Sequence, residues 1–149
     1  KSYLHDLEIA AIAGASPTGN GRAEDFSRRV HVRMTNTFFE AGDWSAEEIV
    51  EETREGVLLD GFLGGIEDVG GGSFYASAQC AFLVKNGEIR EPLRGVAVSG
   101  HALEVLKSID AVGKEVLLTP GTCGKGAEDR VPVSSGGPYV RTVAFVGGG

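Results

Sequence analysis

Residues 73–89 read SFYASAQCAFLVKNGEI, and this stretch carries the clearest strand-and-turn pattern of the sequence. Apolar side chains alternate with small or polar ones along most of it, which is the pattern of a β-strand with one buried face. Asn86 and Gly87 follow, and this pair favours the two positive φ angles of a type I′ turn. The stretch therefore predicts an antiparallel hairpin, with Cys80 as a core thiol on the apolar face of its first strand.

The sequence on both sides of this hairpin predicts further strands and three short helices. The return strand begins at Glu88, is interrupted at Pro92 and resumes through Val98. Apolar residues at helical spacing predict helices at Tyr3–Ala13 with His5 on its surface, at Ala46–Glu55 and at His101–Ile109. Shorter patterns predict strands at Val30–Glu40, at Gly56–Asp68 with a break at Gly64–Gly65, and at Val116–Leu118, Val131–Val133 and Tyr139–Val146. Because no regular βαβ alternation is present, we predict an α+β fold with predominantly antiparallel, curled or barrel-like sheets, in one domain over residues 1–149.

The helix that begins at Ala46 carries the strongest helix-start signal. Ser45 and Glu48 have the spacing of a capping box, in which each side chain bonds to the backbone N–H of the other residue. We expect this helix to run to about Glu55 and to stop at Gly56. Its acidic side chains are interpreted as a solvated face and not as a catalytic cluster.

Composition and charge exclude several classes of partner. Glycine makes up 23 of 149 residues, which indicates many tight turns between strands. The formal net charge is −7 and the longest basic run is Arg28–Arg29, so we expect no nucleic-acid partner. No stretch approaches the ~20 apolar residues that span a bilayer, so we expect no membrane partner either. The two cysteines favour a cytoplasmic location, where thiols stay reduced.

Residues 119–126 read TPGTCGKG and place Cys123 between glycines, in what the sequence predicts to be a loop. A phosphate-binding loop does not fit, because it needs glycine where Thr119 stands and Ser or Thr where Gly126 stands. A redox pair does not fit, because no second cysteine lies two residues away. A nucleophile paired with one of the three histidines stays open, and a metal-ligand role would need partners that this sequence does not place at ligand spacing.

Further blocks of the sequence accompany this cysteine in order along the chain. They are Pro17–Arg22 (PTGNGR), Val32–Thr37 (VRMTNT), Gly42–Ser45 (GDWS), Asn86–Ile89 (NGEI), Ile109–Gly113 (IDAVG), Val131–Val133 (VPV) and Gly136–Pro138 (GGP). Together with the loop around Cys123 they resemble the TldD/PmbA family of zinc-dependent metalloproteases, once described as modulators of DNA gyrase. The resemblance covers essentially all 149 residues, and the Cys-Gly-Lys loop places it on the TldD side of the family.

The resemblance implies a fold, a metal and a ligand. It implies the same α+β class and makes Cys123 the third protein ligand of a catalytic zinc. The other two ligands would be histidines of an upstream His-Glu-x-x-x-His helix, whose Glu serves as general base. Because that helix is not in this sequence, Lys1 is interpreted as a cut point. We therefore expect no catalytic residue in this chain, no activity from it alone, and an exposed apolar patch where the upstream part would pack.

The resemblance also implies substrates and partners. Family members hydrolyse peptide bonds in unfolded or flexible peptides and pair as homodimers or as heterodimers with a TldE/PmbA-like subunit. Arg33 and Asn36 lie on a strand whose polar face is predicted to be solvated, and the alternative is that both help to hold the peptide. Two other functions stay open: a non-catalytic partner subunit that shapes the substrate chamber, and a hydrolase with Cys123 as nucleophile.

Overall fold

This computed structural model describes residues 7–148 and, of Asp129, the backbone alone. The predicted start of the first helix at Tyr3 and the surface position of His5 lie outside the described residues. In chain order the elements are α1 (Leu7–Ile12), β1 (Gly21–Arg22), β2 (His31–Val32), β3 (Thr37–Phe38), α2 (Ala46–Glu51), β4 (Glu55–Glu67), β5 (Ser73–Lys85), β6 (Glu88–Leu93), β7 (Ala97–His101), α3 (Ala102–Lys107), β8 (Ala111–Val112), β9 (Leu117–Lys125), β10 (Glu128–Gly137), β11 (Val140–Arg141) and β12 (Phe145–Gly147).

These elements confirm the predicted fold class. The described residues contain three short helices, and nearly all strand pairs are antiparallel; the exceptions are the parallel pair β3–β10 and a parallel bridge between Trp44 and Gly113. Within residues 7–148 none of the sheets closes into a barrel. No helix in this range combines the length and the apolar character that crossing a bilayer requires.

The chain divides into two compact units. The first comprises the chain up to Glu40 together with Val116–Gly137, and the second comprises Ala41–Glu115 together with the chain from Pro138. The first unit is therefore built from two separate segments of the sequence. The assignment of the whole chain to a single domain stays a prediction.

The first unit contains α1, the β1–β2 pair and a three-stranded sheet. Gly14 ends α1 in the left-handed region at φ +61°, and the N–H groups of Gly14 and Ala15 donate to the carbonyls of Ala11 and Ala10. These are the two hydrogen bonds of a Schellman motif, which only a residue tolerant of positive φ completes readily. The three-stranded sheet has the order β3-β10-β9.

Two predictions for the first unit are wrong in extent. The strand predicted at Val30–Glu40 is reduced to β2 and β3, because the residues between them leave the sheet and Arg33 turns into the interior. The loop predicted at residues 119–126 is instead mostly strand, since β9 pairs with β10 from Leu117 to Lys125. In this segment Gly126 has a positive φ, whereas the other glycines fit an extended backbone.

The second unit is organised around the predicted hairpin. Strand β5 lies inside a five-stranded antiparallel sheet, between β4 on one side and β6 and β7 on the other, and β12 pairs with β7. The turn into β6 has φ +52° at Asn86 and +77° at Gly87, which confirms the predicted turn. Gly70–Gly72 form the turn between β4 and β5, where the N–H of Gly72 donates to the carbonyl of Asp68 and Gly72 has φ +75°.

Strand β4 corrects one prediction and β6 another. The break predicted at Gly64–Gly65 is wrong, because β4 continues through it to Glu67 with one register irregularity after Phe62. The interruption predicted at Pro92 is also wrong, since β6 runs through Pro92 to Leu93. Among the described strands β6 pairs with β5 alone, and proline is tolerated on such an edge because no ladder hydrogen bond is lost.

Cys80 is exposed, so the prediction that it is a core thiol is wrong. The buried residues of this part of β5 are Ala81 and Val84, at 4% and 3% exposure. They lie three positions apart, which strict alternation does not allow. Strand β5 keeps a constant register with β4 from Ala78 to Lys85, so Ala81 and Val84 lie on opposite faces of the strand, and neither face of this part of β5 is buried along its whole length.

Helix α2 confirms its predicted start and corrects its end. The N–H of Glu48 donates to the Ser45 hydroxyl at 3.1 Å, and the N–H of Ser45 donates to the Glu48 carboxylate at 2.7 Å. The helix ends at Glu51, not near Glu55. The N–H groups at the β5–β6 turn donate to the carbonyls of Thr53 and Arg54. These hydrogen bonds compete with those of a longer helix, so the chain continues as β4 instead. Helix α3 lies within its predicted range.

Candidate functional site

Cys123 is placed near the end of β9 by the hairpin that β9 forms with β10. It lies opposite Val131, and the chain reverses through Gly126 at φ +66°. The thiol is free and half-buried. Among the described residues its one hydrogen bond is a weak one to the carbonyl of Gly124, at 3.9 Å. A thiol in this state keeps its capacity to bind a ligand.

Arg33 contacts the backbone of the chain on both sides of this turn. Its Nη1 donates to the carbonyl of Cys123 at 2.7 Å, and its Nη2 donates to the carbonyl of Lys125 at 3.2 Å. Nη2 also lies 3.0 Å from a carboxylate oxygen of Glu128 and bonds weakly to the carbonyl of that residue. Arg33 is 1% exposed and Glu128 is 5% exposed, so this ion pair is buried.

The backbone of Arg33 is itself fixed by Asn20. The N–H of Arg33 donates to the carbonyl of Asn20, and the side-chain amide of Asn20 donates to the carbonyl of Arg33, both at 2.8 Å. Asn20 is buried. We refer to Asn20, Arg33, Cys123, Lys125 and Glu128 as the Arg33 cluster. Its three buried polar side chains, those of Asn20, Arg33 and Glu128, connect the end of β2 to the Cys123 turn.

Three further contacts support the Arg33 cluster. The ammonium group of Lys125 donates to the carbonyl of Val32 at 2.7 Å, and the N–H of Glu24 donates to the Glu128 carboxylate at 3.3 Å. The other oxygen of that carboxylate lies 3.9 Å from Nε2 of His31. The turn that carries the thiol is therefore held by backbone groups of Val32 and Glu24 as well as by side chains of the first segment of this unit.

The sequence predicted Cys123, Arg33 and Asn36 as site residues, and the structure places them differently. Arg33 is buried beside Cys123, so the solvated face predicted for its strand is wrong at this residue. Asn36 is exposed, and its Oδ1 accepts the N–H of Ser134 at 2.9 Å. The prediction that Arg33 and Asn36 contact a peptide substrate stays a prediction, although the burial of Arg33 favours an indirect role for it.

Sequence analysis missed Asn20 and Glu128, which hold Arg33 in place. Asn20 lies in a turn-rich segment and Glu128 lies beyond a glycine turn, where polar residues are usually solvated. The available signal was the coexistence of the PTGNGR and VRMTNT blocks with the cysteine block, which marked the three segments that meet here. Their contacts were not visible from spacing.

The chemistry of the donors suits a partial metal site. A thiolate is a ligand that zinc prefers, and the half-buried Cys123 thiol is free to act as one. Within residues 7–148 there is no group of three or more His, Cys, Asp or Glu side chains placed to hold a metal ion. The described residues therefore fit a group of donors that contributes one ligand and do not form a complete metal site by themselves.

Two other possibilities receive no support from the geometry. Neither of the described histidines, His31 and His101, hydrogen-bonds the thiol of Cys123, so no Cys–His nucleophile pair is formed within the described chain.

The second possibility is a ligand pocket in the second unit, where a cavity of about 1150 Å³ is lined mainly by apolar side chains from α2, β4 and the segment 138–146. It contains none of the three predicted site residues.

Comparison with known proteins identifies the family of this chain. The family described as "PmbA/TldA metallopeptidase C-terminal domain" matches residues 1–148. A metalloprotease of Methanocaldococcus jannaschii is 47% identical over 146 residues, which cover 98% of this chain and 32% of that protein. A zinc metalloprotease TldD homolog of Saccharolobus solfataricus is 35% identical over 149 residues, which cover 100% of this chain and 33% of that protein.

A solved structure gives the same result. TldE from Thermococcus kodakarensis superposes with a TM-score of 0.73 at 26% identity, over 99% of this chain and 31% of that one. The chain thus spans about a third of the length of each of these three relatives. With nearly every residue matched, this chain belongs to the PmbA/TldA metallopeptidase C-terminal domain family.

Proposed function

We propose that this chain is the C-terminal domain of a TldD-like zinc-dependent metalloprotease, and that Cys123 supplies one of the zinc ligands. The observation that carries the proposal is the free, half-buried Cys123 thiol on a turn whose backbone is fixed by a buried arginine. A ligand must be presented in one position to bind a metal well, and a fixed backbone provides that. The names of the relatives, metalloprotease and zinc metalloprotease TldD homolog, support the same activity.

The proposed division of labour follows from the donors present. A zinc ion bound at such a site would polarise the substrate carbonyl and lower the pKa of its bound water to about 7. Cys123 would contribute its thiolate. The two remaining ligands and the general base would come from a His-Glu-x-x-x-His helix in the rest of the protein, as the family resemblance implies. This chain alone would therefore not catalyse hydrolysis.

The proposed substrates are unfolded or flexible peptides. Strand β9 is an edge strand of its sheet among the described residues, and an extended peptide can pair with such an edge through backbone hydrogen bonds. Asn36, the exposed residue that precedes β3, is our candidate for a polar contact with the peptide.

The proposed assembly is a heterodimer with a TldE-like subunit or a homodimer, and the proposed location is the cytoplasm. The absence of nucleic-acid and membrane partners stays a prediction from charge and composition.

The test uses the full-length protein that carries this chain. Zinc content and hydrolysis of a casein-type substrate are measured for the wild type, for Cys123→Ser, and for Cys80→Ser as the matched thiol control. We expect Cys123→Ser to lose both zinc and activity and Cys80→Ser to keep both. A Cys123→Ser protein that binds zinc normally and cleaves the substrate would overturn the ligand assignment. Zinc-dependent hydrolysis by the 149-residue chain alone, abolished by a chelator, would contradict the division of labour.

One observation favours a second candidate function. The fold also matches TldE, so the chain could belong to a partner subunit that shapes the substrate chamber without a complete zinc site. The Cys-Gly-Lys sequence at residues 123–125 weighs against this, because it is the feature that carries the resemblance to TldD. A full-length protein that binds no zinc in any stoichiometry, while its partner does, would establish the second function.

A further inference from the structure

We infer that Arg33 is a positioning residue for Cys123: its guanidinium fixes the backbone of the Cys123 turn and thereby determines how tightly the protein binds its metal. The inference rests on the proposed function, since it assumes that the Cys123 thiol is a ligand. It assigns to Arg33 a role that does not require contact with the peptide substrate or with the metal.

The hydrogen bonds of Arg33 go to backbone and not only to its ion-pair partner. Its two terminal nitrogens donate to the carbonyls of Cys123 and Lys125, two residues apart along β9. Alternate residues of a strand direct their carbonyls to the same side, so a planar guanidinium can bind both at once. Lysine, with a single nitrogen on a flexible stem, cannot hold two carbonyls in a fixed relationship. The geometry therefore uses a property specific to arginine.

The segment around the thiol needs such support. Glycines stand at 121, 124 and 126, and there is open space around the Cβ positions of Gly121 and Gly126. Glycine-rich backbone is intrinsically mobile because no side chain restricts it. The position of the sulfur depends on the backbone of Cys123, and Arg33 holds the carbonyl of that residue. Cys123 pairs with Val131 of β10, but this ladder shifts register between Glu128 and Val131, so the Arg33 hydrogen bond adds a restraint where the strand pairing is irregular and preorganises the thiol.

The free energy needed to bury the charged Arg33 side chain indicates that its role is not to fill space in the interior. A buried ion pair is often no more stabilising than apolar residues of the same volume. Here the Nε atom of Arg33 is also buried without a partner among the described residues, which adds to the cost. A buried arginine whose donors are directed at the carbonyl of the candidate ligand fits a role in positioning.

The experiment uses the full-length protein loaded with Co²⁺ in place of zinc. The thiolate-to-cobalt absorption band reports the metal–sulfur bond, and titration with Co²⁺ gives the dissociation constant. The variant is Arg33→Lys, which keeps a positive charge beside Glu128 but cannot hold both carbonyls. The matched control is Arg22→Lys, because Arg22 also donates to two backbone carbonyls of this unit, those of Met34 and Pro132.

We expect Arg33→Lys to weaken Co²⁺ binding by about 10- to 100-fold, as changes behind a metal ligand commonly do, and to shift the thiolate band. Arg22→Lys should keep the affinity and the band of the wild type. Equal losses in both variants would show a merely structural role and overturn the inference. Unchanged affinity and band in a folded Arg33→Lys protein would overturn it as well.

Two further variants separate the possible failures. If Arg33→Lys does not fold, Arg33→Met with Glu128→Leu, which leaves no unpaired buried charge, takes its place in the same measurements with the same expected losses. Cys123→Ser tests the proposed function itself and should abolish the thiolate band. A wild-type band that survives in Cys123→Ser would overturn the proposed function and this inference with it. Loss of the band in Cys123→Ser beside an unaffected Arg33 variant would overturn the inference alone.

Discussion

The Nη2 atom of Arg33 lies 3.0 Å from a carboxylate oxygen of Glu128, and both side chains are almost completely buried. The two residues belong to separate segments of the sequence that together form the first unit. Removing one member of a buried pair leaves an unpaired charge in a poorly solvated interior, which costs more than the pair contributes. Stability of this unit should therefore depend on the pair as a whole.

The first prediction concerns this pair. Arg33→Met in the 149-residue chain should lower the free energy of unfolding by about 3–5 kcal/mol, because Glu128 loses its partner. Adding Glu128→Leu should recover a large part of that loss. The measurement is chemical denaturation of the two variants and the wild type. A double variant that is less stable than Arg33→Met would contradict the argument.

The second prediction concerns the two thiols. Cys123→Ser and Cys80→Ser should each change the free energy of unfolding of the chain by no more than about 0.5 kcal/mol, since neither thiol is part of the core. Val84→Ala, four residues from Cys80 and 3% exposed, should cost about 2 kcal/mol through lost burial and a cavity. Thermal and denaturant unfolding of the three variants check this. If Cys80→Ser lowered the free energy of unfolding as much as Val84→Ala, Cys80 would be part of the core and the prediction would be wrong.

The third prediction compares two turn glycines. Gly87 and Gly126 both have positive φ, where alanine costs about 1–2 kcal/mol from backbone strain. A Cβ at Gly87 would also lie 2.7 Å from the carbonyl oxygen of Glu51, whereas a Cβ at Gly126 would meet nothing within 4 Å. Gly87→Ala should therefore be clearly more destabilising than Gly126→Ala. Equal losses would contradict this prediction, because they would mean that the backbone at Glu51 moves away from the new Cβ without lowering the free energy of unfolding.

The fourth prediction concerns pH and the capping box of α2. The hydrogen bond from the Ser45 backbone, helped by the Ser45 side chain, holds the pKa of Glu48 below its ordinary value. A carboxyl with a lowered folded-state pKa adds stability above its unfolded pKa, and this is lost as pH falls through the folded pKa. Glu48→Gln should thus destabilise the chain at pH 7, and the difference from the wild type should shrink in acid. Ser45→Ala should cost about 1 kcal/mol at pH 7.

Denaturation of these two variants at pH 7 and at pH 3 provides the measurement. A gap between the wild type and Glu48→Gln that widens on acidification has the wrong sign for a lowered pKa and would refute the assignment. The Ser45→Ala variant is the control for the helix start, because it removes the hydroxyl cap and keeps the carboxyl group.

Local signals were sufficient wherever neighbouring residues determine the structure. Asn86–Gly87 fixed a turn, and Ser45 with Glu48 fixed a helix start, because the atoms that bond lie within three residues of each other. The α+β class was predicted from the same kind of local strand, turn and helix patterns. The resemblance that identified the family also rested on short blocks of sequence.

Pairing with other segments explains the differences between prediction and structure. The glycines and the proline at residues 119–126 favour a loop, but pairing with β10, the next strand of the chain, makes this segment a strand up to Lys125. Arg33 was placed on a solvated face because its ion-pair partner is 95 residues away. Alternation predicts which face of β5 carries Cys80, but whether another element covers that position depends on packing that the local pattern does not contain, and Cys80 is exposed whereas Val84 on the same face is buried. In each case tertiary structure overrides the local pattern.

The division of the first unit between two segments has a consequence for the order of folding. In the second unit β4, β5 and β6 pair with their neighbours in the sequence, so little loop entropy is lost when they form. Arg33 and Cys123 are 90 residues apart, and their contact must wait until that distance is closed. Pulsed hydrogen exchange during refolding should protect the amides of β5 before the N–H of Ser134, which donates to Oδ1 of Asn36, 98 residues away. The thiol would then reach its fixed position only after the hairpins of the second unit have formed, because the Arg33 contact joins two distant segments.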